Sequence, residues 1–138
     1  MIDNNLKQNI SQSLAQNASV IAAYALGSFT KGTSGSESDF DLAVVVDKSQ
    51  PDSLDSMYEL LKDIQFPKNL DLSVVDTSSS PLFLYQVINK GERVYERNRR
   101  DMIQFETYVL HNYYDTAHLR AMYARHLKEK FSEITYAN

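Results

Sequence analysis

The 138-residue chain has no cysteine and no tryptophan, only three prolines and only four glycines. The lack of cysteine excludes disulfides, thiolate metal ligands and a cysteine nucleophile. No apolar run approaches the roughly 18 residues that a membrane-spanning helix needs. The first ten residues lack the basic-then-apolar order of a secretory signal, so we expect a cytoplasmic protein with no membrane partner. The remaining composition, 43% hydrophobic and 23% charged, is typical of a globular domain.

Cations are scarce in the first half of the chain. Residues 1–76 contain 5 Lys and Arg against 11 Asp and Glu, a formal charge of −6, whereas residues 77–138 contain 9 against 7, a charge of +2. Binding to a nucleic-acid backbone requires clustered cations, so we expect no direct binding of nucleic acid. An acidic half is compatible with a site that collects divalent cations.

The apolar pattern predicts an α/β fold in one domain that spans residues 1–138. The core of this domain is expected at about 18–96, followed by a C-terminal helical segment at about 98–131. The predicted elements are a helix over 3–17, strands over 20–26 and 40–46, a helix that starts near 49–52 and stops before Pro67, a strand over 70–75, a helix from Pro81 to Gly91, a short edge strand over 93–95, and a long helical pattern over about 99–129.

Three aspartates lie at corresponding points of two predicted strands. Side chains two residues apart on a strand point to the same face, so Asp39 and Asp41 project together, and Asp71 shares a face with Ser73. If the strands are neighbours, three carboxylates converge and cannot all stay ionised unless cations join them. Mg²⁺ takes one or two carboxylates and completes its shell with water and substrate phosphate. Two such ions would clamp the attacking and leaving oxygens of a phosphoryl displacement.

The loop between the first two strands holds three of the four glycines. Gly27 ends the first strand, where its backbone can approach a phosphate closely, and Ser28 adds a hydroxyl donor. The alternative is an ordinary Gly/Ser-rich turn that closes on an Asp acting as a cap. The residues of the loop leave both interpretations open.

The spacing Gly27-Ser28, ten residues, Asp39-x-Asp41 resembles the GS-x10-D-x-D signature of the DNA polymerase β-like nucleotidyltransferase superfamily. The short length, and the C-terminal stretch RDMIQFETYVLHNYYDTAHLRAMYARHL (residues 100–127), are similar to its minimal nucleotidyltransferases, the antitoxin partners of HEPN-domain toxins. The resemblance implies a small mixed β-sheet with flanking helices and a long C-terminal helix.

The resemblance also implies a reaction: the Mg²⁺-dependent transfer of AMP from ATP to a hydroxyl, with release of pyrophosphate. Gly27 and Ser28 would hold the triphosphate, and Asp39 and Asp41 would bind the metal ions. Asp71 would bind one ion and draw the proton from the incoming hydroxyl. In family members paired with HEPN ribonuclease toxins that hydroxyl is a tyrosine of the toxin, and its modification inactivates the nuclease.

One departure from the family pattern is Lys31, where many relatives have Arg; lysine keeps the charge but lacks the bidentate fork. Two alternatives to the antitoxin enzyme stay open, namely neutralisation of the partner by binding alone and transfer to a small-molecule hydroxyl. The tyrosines of the terminal segment are compatible with core packing or with a partner-facing surface. The three histidines, all in that segment, are interpreted as surface or packing residues: His111, His118 and His126.

Overall fold

The computed structural model describes residues 2–26, 39–47 and 53–136. For residues 134–136 only the backbone is described. The elements within these ranges are α1 (Asn4–Leu14), β1 (Val20–Leu26), β2 (Phe40–Val46), α2 (Ser53–Leu61), β3 (Leu70–Val75), α3 (Pro81–Lys90), β4 (Glu92–Glu96), α4 (Arg99–Asp115) and α5 (Ala117–Tyr136).

The four strands form one mixed sheet in the order β3-β2-β1-β4. Strand β1 is antiparallel to β2 and β4, and β2 is parallel to β3. The bounds of β1, β2 and β3 are those predicted from the sequence, and the predicted edge strand near 93–95 is confirmed as β4. Helices cover both faces of the sheet, which is why β1 and β2 read as nearly continuous apolar runs.

Alternate residues of β2 enter two separate cores. Phe40 and Leu42 pack on the face covered by α1 and α2, whereas Ala43 and Val45 pack on the face covered by α3 and α4. Asp41 belongs to the second series because side chains two apart share a face. The helical contributions to these cores are Ile10 and Leu14 from α1, Met57 and Leu61 from α2, Leu84 and Val87 from α3, and Met102, Phe105 and Val109 from α4.

Gly91 joins α3 to β4, at the point where the sequence predicts the helix to end. Its backbone is extended, with φ −78° and ψ 153°, so a positive φ is not the reason for glycine here. A Cβ at this position would overlap the carbonyl oxygen of Val87 and come within 2.9 Å of Cδ2 of Leu26. The glycine therefore allows the end of α3 to lie against the last residue of β1.

The C-terminal helical segment is confirmed, but it is two helices rather than one. Thr116 separates α4 from α5, and its hydroxyl donates to the carbonyl oxygen of Asn112 at 2.8 Å. The break coincides with a change in the apolar spacing, which is four residues up to Tyr113 and then six to Leu119. No helix in the described ranges is long and apolar enough to cross a membrane.

Candidate active site

Asp41 and Asp71 are direct partners in the register of the parallel strands β2 and β3. Both side chains extend from the sheet face that α3 and α4 cover further along the strands, because they share the phase of the Ala43–Ser73 pair. Asp39 directly precedes β2 and is exposed. The structure thus sets Asp41 beside Asp71, with Asp39 at the same end of β2.

The repulsion between the neighbouring carboxylates affects the pKa of Asp41. Burial, followed by the neighbouring carboxylates of Asp71 and Asp39, raises the pKa of Asp41 above its ordinary value. A cation bound between the carboxylates of Asp41 and Asp71 would offset the same repulsion.

The donor set suits Mg²⁺ because it consists of hard carboxylate oxygens at one edge of the sheet. Within the described ranges, no group of three or more His, Cys, Asp or Glu side chains is close enough together to bind one metal ion. The Asp41–Asp71 pair is the part that fits, since Mg²⁺ is usually bound by one or two carboxylates plus water and substrate phosphate. This pair would hold the ion that the family implies, with Asp39 as a further carboxylate beside it.

The remaining predicted site residues, Gly27 and Ser28, lie outside the described residues, as does Lys31. Leu26, the last described residue before them, is the register partner of Asp41 on β1. Strand β1 therefore ends beside the carboxylates. Predictions for the glycine-rich loop stay predictions.

One residue near the cluster was not predicted from the sequence. The hydroxyl of Tyr58 accepts a hydrogen bond from the backbone N–H of Leu72 at 3.0 Å, next to Asp71. The sequence places Tyr58 only on the apolar face of α2; the signal is that it is the one residue of that face with a polar end. The three histidines are exposed, in keeping with their interpretation as surface residues: His111, His118 and His126.

A mixed sheet that is covered by helices and carries paired aspartates at the start of adjacent parallel strands is compatible with a nucleotidyltransferase. A family model, polymerase beta nucleotidyltransferase, matches residues 8–100, well over half of the chain. The chain belongs to this family. No curated protein matches the chain at a significant level.

Several solved structures resemble the fold over nearly its whole length. A toxin–antitoxin crystal structure with AMP-PNP has a TM-score of 0.64 and 21% identity, and the match covers 88% of this chain and 98% of that one. The tri-AMPylated Shewanella oneidensis HEPN toxin in complex with MNT antitoxin gives 0.64 and 19%, covering 91% and 99%. The MntA–HepT toxin–antitoxin structure gives 0.61 and 18%, covering 91% and 99%. At these identities the likeness is one of fold.

Proposed function

We propose that this chain is an antitoxin that transfers AMP from ATP to a tyrosine hydroxyl of a cognate HEPN ribonuclease toxin, and that this modification inactivates the toxin. The observation that carries the proposal is the register of Asp41 with Asp71 on adjacent parallel strands, with Asp39 two residues before. It is supported by the family membership and by solved structures of similar fold, which include complexes with AMP-PNP and with an AMPylated HEPN toxin.

In the proposed reaction the tyrosine oxygen forms a bond to the α-phosphorus of ATP. The bond from that phosphorus to the oxygen bridging to the β-phosphorus breaks, and pyrophosphate leaves. Asp71 accepts the proton of the attacking hydroxyl, and Asp39, Asp41 and Asp71 would hold Mg²⁺. Bound Mg²⁺ would offset the charge that develops on the attacking and leaving oxygens. Gly27 and Ser28 would orient the triphosphate, so positioning and charge suffice and no covalent nucleophile is required.

A protein acceptor is supported by the surface of α5. Its apolar stripe consists of four large side chains that recur every fourth residue and are all at least half exposed: Leu119, Tyr123, Leu127 and Phe131. A stripe of this kind on a helix is normally covered by protein. We propose that residues 18–96 form the catalytic core and that the segment 98–131 binds the toxin.

The charge of α5 indicates what kind of surface covers it. Residues 117–136 hold four Lys and Arg against two Glu, a formal charge of +2, while the chain as a whole carries −4. Charge complementarity favours an acidic border around an apolar patch on the toxin. It disfavours the pairing of α5 with α5 of a second copy, because like charges would meet.

The transfer is tested with ATP labelled at the α- or the γ-phosphate, incubated with Mg²⁺, this chain and its cognate HEPN toxin. The proposal predicts that the α-label becomes bound to the toxin and that the γ-label is released as pyrophosphate. Label on the toxin from the γ-position alone would indicate phosphoryl transfer, with release of ADP, instead. Absence of both labels from the toxin would contradict the proposal.

A second candidate function is neutralisation by binding alone, which the exposed stripe of α5 also favours. The variant with both Asp39→Asn and Asp41→Asn distinguishes the two. If this variant still binds the toxin but no longer prevents RNA cleavage, neutralisation depends on transfer. If it protects RNA as well as the unaltered chain does, binding suffices.

A further inference from the structure

Strand β3 is an edge of the sheet formed by the described strands, so one side of its backbone faces no neighbouring strand. The hydroxyl of Tyr58 lies on that side. It accepts the N–H of Leu72 at 3.0 Å and lies 3.5 Å from the carbonyl oxygen of Leu70. These two residues flank Asp71, so a single hydroxyl bonds the strand edge at the aspartate that the proposed reaction uses twice.

The helix that presents this hydroxyl is firmly placed. Met57 and Leu61 of α2 are 2% and 1% exposed and belong to the core beneath the sheet, whereas the Tyr58 side chain lies at the rim of that core. On its other side, β3 pairs with β2 in the register that sets Asp71 opposite Asp41. The backbone around Asp71 is therefore held from both sides, by β2 and by Tyr58.

We propose that Tyr58 is a positioning residue, which fixes the backbone of Asp71 so that its carboxylate stays opposite Asp41 for metal binding and proton transfer. This inference rests on the proposed function. Tyr58 does not itself touch the reacting groups; it acts through the Leu72 N–H. Supporting hydrogen bonds of this kind orient metal ligands, and their loss typically lowers metal affinity about tenfold or more.

The test uses Tyr58→Phe, which keeps the ring and removes only the hydroxyl. A matched control is Tyr108→Phe, because the Tyr108 hydroxyl also bonds a backbone group, the carbonyl oxygen of Thr77 at 3.1 Å, beyond the other end of β3. The two tyrosines are similarly exposed, at 37% and 43%. Mn²⁺ is titrated into the full chain in the presence of ATP, and hydrogen exchange of the Leu72 amide is followed by NMR.

We expect Tyr58→Phe to weaken Mn²⁺ binding about tenfold and to speed exchange at Leu72. Tyr108→Phe is expected to match the unaltered chain in both measurements. Equal Mn²⁺ affinity in the two variants would overturn the positioning role, and so would unchanged exchange at Leu72. Asp41→Asn is run alongside: if it binds Mn²⁺ as the unaltered chain does, the proposed metal site itself fails and the role of Tyr58 fails with it.

Discussion

At the scale of single residues, the site is built from groups that repel one another. Asp41 has a raised pKa because of its burial and because of Asp71 and Asp39 beside it. Carboxylates that repel one another in the metal-free protein, and that could bind a divalent cation, are typical of a functional site.

Asp41→Asn is therefore expected to stabilise the metal-free protein at neutral pH while abolishing AMP transfer. A raised pKa means that the folded state binds the proton more tightly than the unfolded state, so the stability of the unaltered chain falls as pH rises through the range where Asp41 ionises. Asparagine carries no charge at this position, so the variant does not lose this stability as pH rises. An increase in Tm of about 4 °C corresponds to about 1 kcal/mol in a chain of this size.

The measurement is thermal unfolding in EDTA over a range of pH. The advantage of the Asp41→Asn variant should disappear at about pH 3, where aspartates are protonated in both states. Asp63→Asn, at an exposed position outside the cluster, serves as the control and should leave Tm nearly unchanged. A variant less stable than the unaltered chain at pH 7 would contradict this account of the pair.

At the scale of elements, the placement of α3 depends on one glycine. Gly91→Ala should destabilise the protein by about 1–3 kcal/mol, the usual cost of overpacking. The added Cβ would overlap the Val87 carbonyl oxygen, which is backbone and cannot rotate away. Chemical denaturation measures the change, and Lys90→Ala at the exposed preceding residue is the control. Equal stability of the two variants would show that the helix end shifts freely.

The exposed stripe of α5 gives a second prediction at this scale. Leu127→Glu should weaken binding to the toxin by about tenfold or more, because it places a charge within an apolar contact. Ala121→Glu adds the same charge to the opposite side of the same helix, at another exposed position, and should bind nearly normally. Calorimetric titration with the toxin compares them. Equal losses in both variants would exclude the stripe as the contact.

The bounds of the strands were predictable from the sequence, because buried strands give clear apolar runs. The ends of the helices were less predictable. The strands β1 and β2 were placed correctly because both faces of the sheet are covered and the apolar runs end where the cover ends. The first helix ends at Leu14 rather than near 17, since Asn17 turns the chain by accepting from the N–H and hydroxyl of Ser19. The break at Thr116 was missed because both halves have helical spacing.

At the scale of the whole molecule, the sequence predicted the strand phase that Asp41 and Asp71 share but not the contacts that support these residues. Strand periodicity gives Asp41 and Asp71 their faces, and the parallel pairing of β2 with β3, which the sequence left as a condition, sets them side by side. The bond from Leu72 to Tyr58 joins elements whose relative position only the fold determines. The same is true of Tyr24, whose buried hydroxyl donates to Glu106 at 2.6 Å and ties β1 to α4.

The formal charge is distributed unequally between the two halves of the chain. The first half of the chain, which contains the proposed cation site, carries the excess of acidic residues, while a net positive charge lies on the segment proposed to bind a partner. The two proposed tasks, transfer and docking, are thus assigned to different parts of the chain, and variants in one part should leave the other task intact.

The most direct test is the intact mass of the cognate toxin after co-expression with this chain. The account predicts that the toxin gains one or more AMP units, located on tyrosine by fragmentation, and that it gains none when the chain carries Asp39→Asn and Asp41→Asn. A toxin that is neutralised by the unaltered chain yet has its unmodified mass would contradict the central claim.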